Sequence, residues 1–328
     1  MAQSPTKDIA FITEPIREGL ERVNQHLVGV AGAARLSGDA AMLQHAVVSG
    51  GKKLRPALTL LAGSFHPGYE DALVTMGAAV ELLHIATLIH DDTVDKADTR
   101  RGRATVGNLW GPDVAVLVGD YVFATSATFV CDTGNIRVVR RFSETIMELA
   151  QGELAERFAA HNWEQTIDDY NARIYDKTAT LFCTAAESGG VLSHAPESET
   201  QALYQYGYNL GMAFQVMDDV LDLAGTEEEL GKPVGNDLLQ GTLTLPVLRF
   251  AERYPHEPVL VRVRQGSREP ADLAALVAAV RDSDAIGEAF AVMEGYRDQA
   301  LAALHRLPAT RERASLEALV AYATDRRV

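Results

Sequence analysis

The chain has 328 residues, 47% of them hydrophobic, enough to bury a large core in one domain or two. Its formal net charge of −15 argues against a partner read through a phosphate backbone, so no nucleic acid is expected. Two cysteines without CxxC spacing, Cys131 and Cys183, exclude a zinc module or a disulfide scaffold.

No apolar run approaches the roughly 20 residues that cross a bilayer, and acidic residues interrupt the first segment, so the expectation is a cytoplasmic, not membrane-spanning protein. Apolar residues recur at helical spacing along most of the chain, while alternating strand patterns with hairpin turns are absent, which predicts an all-α fold. Breaks fall at 49–51, 66–68, around Gly102, at 111–112, 189–190, 225–241 and 254–258, delimiting roughly ten helices. Nothing marks a linker or a repeat, so residues 1–328 read as a single domain, with a mobile or appended part from about residue 255 that carries no motif.

In chain order, the first chemical cluster is Gly50-Gly51-Lys52-Lys53-Leu54-Arg55-Pro56, which sets cations before a helix that Pro56 helps to start. It lacks P-loop spacing. Next comes an apolar stretch carrying His84 and ending in Asp91-Asp92-Thr93-Val94-Asp95. His84 lies seven residues before Asp91 and shares its helix face. Arg100-Arg101-Gly102 follows closely enough to join the same site. Lys177-Thr178 opens another helix. A second apolar stretch then leads through Gln215 into Asp218-Asp219-Val220-Leu221-Asp222, after which Lys232 sits in a glycine-punctuated segment of the kind that serves as a lid.

Both acidic strings read DDxxD. Positions i and i+4 share a helix face, so Asp91 converges with Asp95 and Asp218 with Asp222, with Asp92 and Asp219 beside them. Carboxylates crowded this way repel, and those near a helix C-terminus also oppose the macrodipole. A cation relieves both problems. Hard carboxylate oxygens suit Mg²⁺, which binds through one or two carboxylates together with substrate phosphates. The basic residues supply further contacts for diphosphate.

Taken together, GGKKLRP (50–56), HIATLIHDDTVDKADTRRG (84–102), KTATL (177–181), FQVMDDVLD (214–222) and LGKPVGND (230–237) resemble the trans-isoprenyl diphosphate synthase (polyprenyl synthetase) family. The resemblance implies a helical barrel around a deep central cavity, a homodimer, and two aspartate motifs facing each other. It implies condensation of an allylic diphosphate with isopentenyl diphosphate, with about three Mg²⁺ ions bound beside diphosphate. Asp91, Asp95 and Asp218 are placed like the main metal ligands, supported by Asp92, Asp219 and Asp222. Lys52, Arg55, His84 and Arg101 resemble the isopentenyl diphosphate contacts, Arg100, Lys177 and Lys232 the allylic diphosphate contacts, and Thr178 and Gln215 the polar groups beside the developing cation.

The small residues Ala86 and Thr87, about one 5.4 Å turn before Asp91, leave a path for a long product of about six to ten isoprene units. A geranylgeranyl or farnesyl diphosphate synthase is the alternative, with a class I terpene cyclase behind it. Peripheral membrane contact during product release also fits. Where many members carry a lysine, this chain has Thr242.

Overall fold

The computed structural model describes residues 9–32, 39–47, 51–100, 102–225 and 234–325. Of the expected site residues, Arg101 and Lys232 lie outside the described residues. The chain divides into two compact units, one of Met1–Ser143, Thr184–Tyr204 and Leu304–Leu319, the other of Glu144–Cys183, Gln205–Ala303 and Val320–Val328.

In the first unit, α1 (Ile9–Thr13), α2 (Arg17–Gly32), α3 (Asp39–Val47) and α4 (Leu54–Gly63) precede the long α5 (Glu70–Val94). Then come a two-stranded hairpin, β1 (Thr99–Arg100) with β2 (Arg103–Ala104), and the short α6 (Val106–Trp110). Helix α7 (Pro112–Asp132) returns along α5, its Gly119 facing His90 so closely that a β-carbon there would sit 2.2 Å from the imidazole. Met76, Val80, Leu83 and Ala86 on α5 are all buried, as are Val23 and Leu27 on α2 and Leu58 and Leu61 on α4.

Helix α8 (Ile136–Ala159) begins in the first unit and continues into the second, which also holds α9 (Ile167–Ile174) and a π-helical turn over Tyr175–Ala179. Helix α10 (Thr180–Leu192) starts in the second unit, and α11 (Glu197–Ala224) ends there. After α12 (Asn236–Gln240) come α13 (Leu245–Arg253), α14 (Pro258–Arg264), α15 (Pro270–Arg281), α16 (Ala285–Leu304) and α17 (Arg311–Thr324). The part beyond residue 255 is not appended: Leu260, Leu276 and Ala289 share a fully buried core with Val216 and Val220 of α11 and Val247 of α13.

Three features depart from the sequence pattern. Gly189 and Gly190 do not break a helix, because α10 runs through both. They let it approach its neighbours: a β-carbon on Gly189 would lie 2.6 Å from the Thr59 carbonyl, and one on Gly190 2.9 Å from Leu203. The hairpin at 99–104 is too short to leave an alternating pattern, and the positive φ of 74° at Gly102 is what its tight turn demands. Finally, α5 and α7 are each long and apolar enough to cross a membrane, which a search for uninterrupted apolar runs overlooks. Protein buries 67% of the apolar window of α5 but only 33% of that of α7.

Candidate functional site

The first DDxxD occupies the end of α5. Asp91 and Asp92 lie in its last turns, and Asp95 is the C-cap, its backbone N–H donating to the Asp91 carbonyl at 2.8 Å. Three carboxylates therefore stand where the helix dipole is negative, the arrangement that calls for a cation. Asp92 already has one, since Arg100 Nε donates to its Oδ1 at 2.6 Å. Burial nonetheless pushes the Asp92 carboxyl up, against the opposing pull of that guanidinium.

The hairpin holds Arg100 in place. Thr105 caps α6 by accepting from Asn108 N–H at 3.1 Å and donates to the Ala97 carbonyl at 2.8 Å, while His45 of α3 meets the Ala104 carbonyl at 2.8 Å. Upstream on α5, His84 is half-buried. Lys52 is exposed and Arg55 half-buried, on either side of Lys53, whose φ of 49° marks the turn into α4.

The second DDxxD lies on the last turns of α11. Asp218 is half-buried, whereas Asp219 and Asp222 are 3% and 2% exposed. Asp222 receives the returning chain: its carbonyl accepts from Gly235 N–H at 2.7 Å and its Oδ2 from Asp237 N–H at 3.3 Å. Both oxygens of Asp219 are taken up within the unit, Oδ1 by Gln215 Nε2 at 2.8 Å and Oδ2 by the Tyr170 hydroxyl at 2.7 Å. Burial, with Asp237 nearby, pushes this carboxyl up to about 7.

Lys177 and Thr178 sit on the π-helical turn, an irregularity that frequently marks a functional site. Two glycines clasp the turn. A β-carbon on Gly152 of α8 would lie 2.6 Å from the Lys177 nitrogen, and one on Gly211 of α11 2.5 Å from the Ala179 Cα. Thr178 donates to Gln215 Oε1 at 2.7 Å. The Lys177 ammonium pairs with Glu156 at 2.6 Å and Glu153 at 3.0 Å. Burial works against its charge, but the two glutamates outweigh it and hold the ammonium above the usual lysine range.

Tyr170 and Arg173 are two buried residues that the sequence pattern did not single out. Helix α9 begins with a capping box between Thr166 and Asp169, which fixes its phase and turns Tyr170, Arg173 and Ile174 to the interior. The signal was present in Thr166-x-x-Asp169 followed by an arginine at apolar spacing. Arg173 donates to Gln165 Oε1 at 2.8 Å and to the Leu243 carbonyl at 2.7 Å, and its guanidinium carbon lies 5.6 Å from the Tyr170 ring centroid.

Among the described residues, no three ligating side chains converge into a metal cage. The donors suit Mg²⁺ in another way: hard carboxylate oxygens at the two helix ends could each bind such an ion singly or in pairs, with phosphate oxygens as further ligands.

The polyprenyl synthetase family profile matches residues 40–280. The chain is 37% identical to heptaprenyl diphosphate synthase component 2 of Geobacillus stearothermophilus, over 94% of this chain and 93% of that one. Its fold matches the crystal structure of heptaprenyl diphosphate synthase from Staphylococcus aureus with a TM-score of 0.90 and 33% identity, covering 95% and 98% of the two chains. A polyprenyl synthase from Caulobacter crescentus, solved in complex with calcium and isoprenyl diphosphate, matches with a TM-score of 0.90 and 32% identity over 99% and 100%.

Proposed function

Because the chain belongs to the polyprenyl synthetase family, we propose that it is a long-chain trans-polyprenyl diphosphate synthase, which extends an allylic diphosphate with isopentenyl diphosphate. The observation that carries this reading is the pair of DDxxD motifs closing α5 and α11, the second joined through Asp219 to Gln215, which in turn accepts from Thr178. In this proposal residues 1–328 form one synthase domain. Asp91, Asp95 and Asp218 hold about three Mg²⁺ ions together with diphosphate, and Asp92, Asp219 and Asp222 support them. When bound, the metal draws negative charge from the departing diphosphate.

The chain's own groups do the rest. Arg100, Lys177 and Lys232 contact the allylic diphosphate, and Lys52, Arg55, His84 and Arg101 the isopentenyl diphosphate. The allylic C–O bond breaks with its electron pair leaving on diphosphate, the isopentenyl double bond attacks the cation to form the new C–C bond, and the released diphosphate takes the proton. Thr178 and Gln215 lie beside the developing positive charge. Excluding water keeps the cation from being quenched.

The long product is supported by α5 itself. Ala86 is small and 1% exposed, and Leu83, Val80 and Met76 continue the buried apolar face. A homodimer is supported by exposed apolar side chains, Leu117 and Tyr121 on α7 and Ile136, Met147, Leu154 and Phe158 on α8. A cytoplasmic location, with peripheral membrane contact at product release, completes the reading.

The test is a product assay with Mg²⁺, isopentenyl diphosphate and allylic primers. All-trans products longer than geranylgeranyl are expected, and Ala86→Phe, which sets a ring roughly one 5.4 Å turn below Asp91, should shorten them sharply. Allylic diphosphate consumed to a hydrocarbon without isopentenyl diphosphate would favour a cyclase, and an unchanged distribution in the variant would show that the tail does not pass residue 86.

A further inference from the structure

We propose that Tyr170 is a positioning residue that sets the polarity of the Thr178 hydroxyl through Asp219 and Gln215, a role resting on the prenyltransferase reading for its chemical purpose. All four residues belong to the second unit, and their hydrogen bonds converge on Asp219. The Tyr170 hydroxyl donates to Asp219 Oδ2 at 2.7 Å, Gln215 Nε2 donates to Asp219 Oδ1 at 2.8 Å, and Thr178 Oγ1 donates to Gln215 Oε1 at 2.7 Å.

A hydroxyl has one proton to give. Thr178 gives its proton to Gln215 and so keeps only lone pairs for anything else it meets. Which way this bond runs depends on the orientation of the Gln215 amide, whose two ends are nearly the same size. Asp219 settles it: its Oδ1 takes the NH₂ end of the amide, which leaves the carbonyl for Thr178. Were the amide reversed, the Thr178 proton would be free to point at the substrate, the wrong sign beside a developing cation.

Asp219 can do this only while it is itself held. It is 3% exposed and spends both oxygens on side chains of this chain, which makes it a strut for Gln215. Tyr170 supplies the second support and is fully buried. Its ring is held by Arg173, whose guanidinium is fixed by Gln165 and the Leu243 carbonyl.

Tyr170→Phe removes one donor and keeps the ring under Arg173. It should lower kcat about ten- to hundredfold, the effect of leaving one buried acceptor without its donor, while the KM values for both diphosphates stay the same. In a double-mutant cycle with Thr178→Val the losses should be strongly non-additive, because both variants break the same chain of bonds. Additive losses, or a Tyr170→Phe rate equal to wild type, overturn the proposal. If Tyr170→Phe does not fold, Arg173→Lys, which loosens the hold on the Tyr170 ring without touching the aspartates, takes its place in the cycle with the same expectation, and additivity there overturns the proposal equally.

A second readout needs no turnover. In the full chain labelled with ¹⁵N-glutamine, the Gln215 side-chain amide, assigned from its absence in Gln215→Asn, should resist hydrogen exchange in the wild type and lose that protection in Tyr170→Phe. Unchanged protection sinks the proposal. Wild-type protein that fails to condense substrates would remove the prenyltransferase reading while leaving the amide result to stand.

Discussion

Burial, reinforced by the charge of Asp237, raises the Asp219 carboxyl to about 7 from its ordinary 3.8. The folded chain therefore holds this proton over a pH range where the unfolded chain has released it. Stability contributed by the group is present below the unfolded value and is lost as pH climbs through the window toward 7, by up to about 1.4 kcal/mol per pH unit. Melting curves without Mg²⁺ or diphosphate should show Tm falling from pH 5 to 7 more steeply in the wild type than in Asp219→Asn. Parallel curves would mean that Asp219 titrates as an ordinary carboxyl. Asp91→Asn and Asp218→Asn act on turnover instead. Each removes a carboxylate from the proposed metal site, so kcat should fall by roughly a hundredfold or more while far-ultraviolet circular dichroism stays unchanged. Near-normal rates at saturating Mg²⁺ would reject those two ligands. At this scale the sequence was most informative where residue type carries the chemistry, as in both DDxxD strings. It was silent on Tyr170, because a tyrosine on an apolar helix face looks like core until its partner 49 positions away is seen.

The π-helical turn at Tyr175–Ala179 left no trace in the hydrophobic pattern, since it is one extra residue inserted where two helices would otherwise run as one. What holds it is close backbone approach on both sides, through Gly152 and Gly211. Gly211→Ala should therefore push the turn away from α11, with a cost of about 1–3 kcal/mol in stability. It should also lower kcat more than a change of equal cost made far from Thr178. Chemical denaturation paired with steady-state kinetics measures both, and a stability loss with full activity would show that the turn need not be held this closely. Gly189 and Gly190 teach the same lesson from the other side. Glycine reads as a helix breaker along the chain, yet inside a packed helix it is the residue that lets another backbone come near, and only the neighbour decides between the two. The breaks at 66–68, 111–112 and 254–258 were legible because proline and positive-φ glycine act locally, without a partner.

For the molecule as a whole, the exposed side of α8 presents Met147, Leu154 and Phe158 at helical spacing, with Phe158 83% exposed. An exposed apolar row of this kind is where a second copy of the chain is expected to pack. Sedimentation should give a dimer for the wild type and a monomer for Met147→Glu combined with Leu154→Glu; a wild-type monomer would leave the stripe without this explanation. The all-α class was legible from periodicity, but which apolar faces turn inward and which remain outside was not, because α5 and α7 are equally apolar and differ only in what surrounds them.

That likeness matters before folding is complete. As the chain leaves the ribosome, α5 emerges before α7, an apolar segment of membrane-spanning length with only the preceding helices, chiefly α2 and α4, to pack on it. The rest of its cover is α7, which follows after a connection of only 17 residues, Asp95 to Gly111, and folds back to bring Gly119 against His90. Contacts so near in sequence form early. The short hairpin and α6 between the two helices thus do more than place Arg100: they keep brief the interval in which a nascent chain of this protein could be mistaken for cargo bound for a membrane.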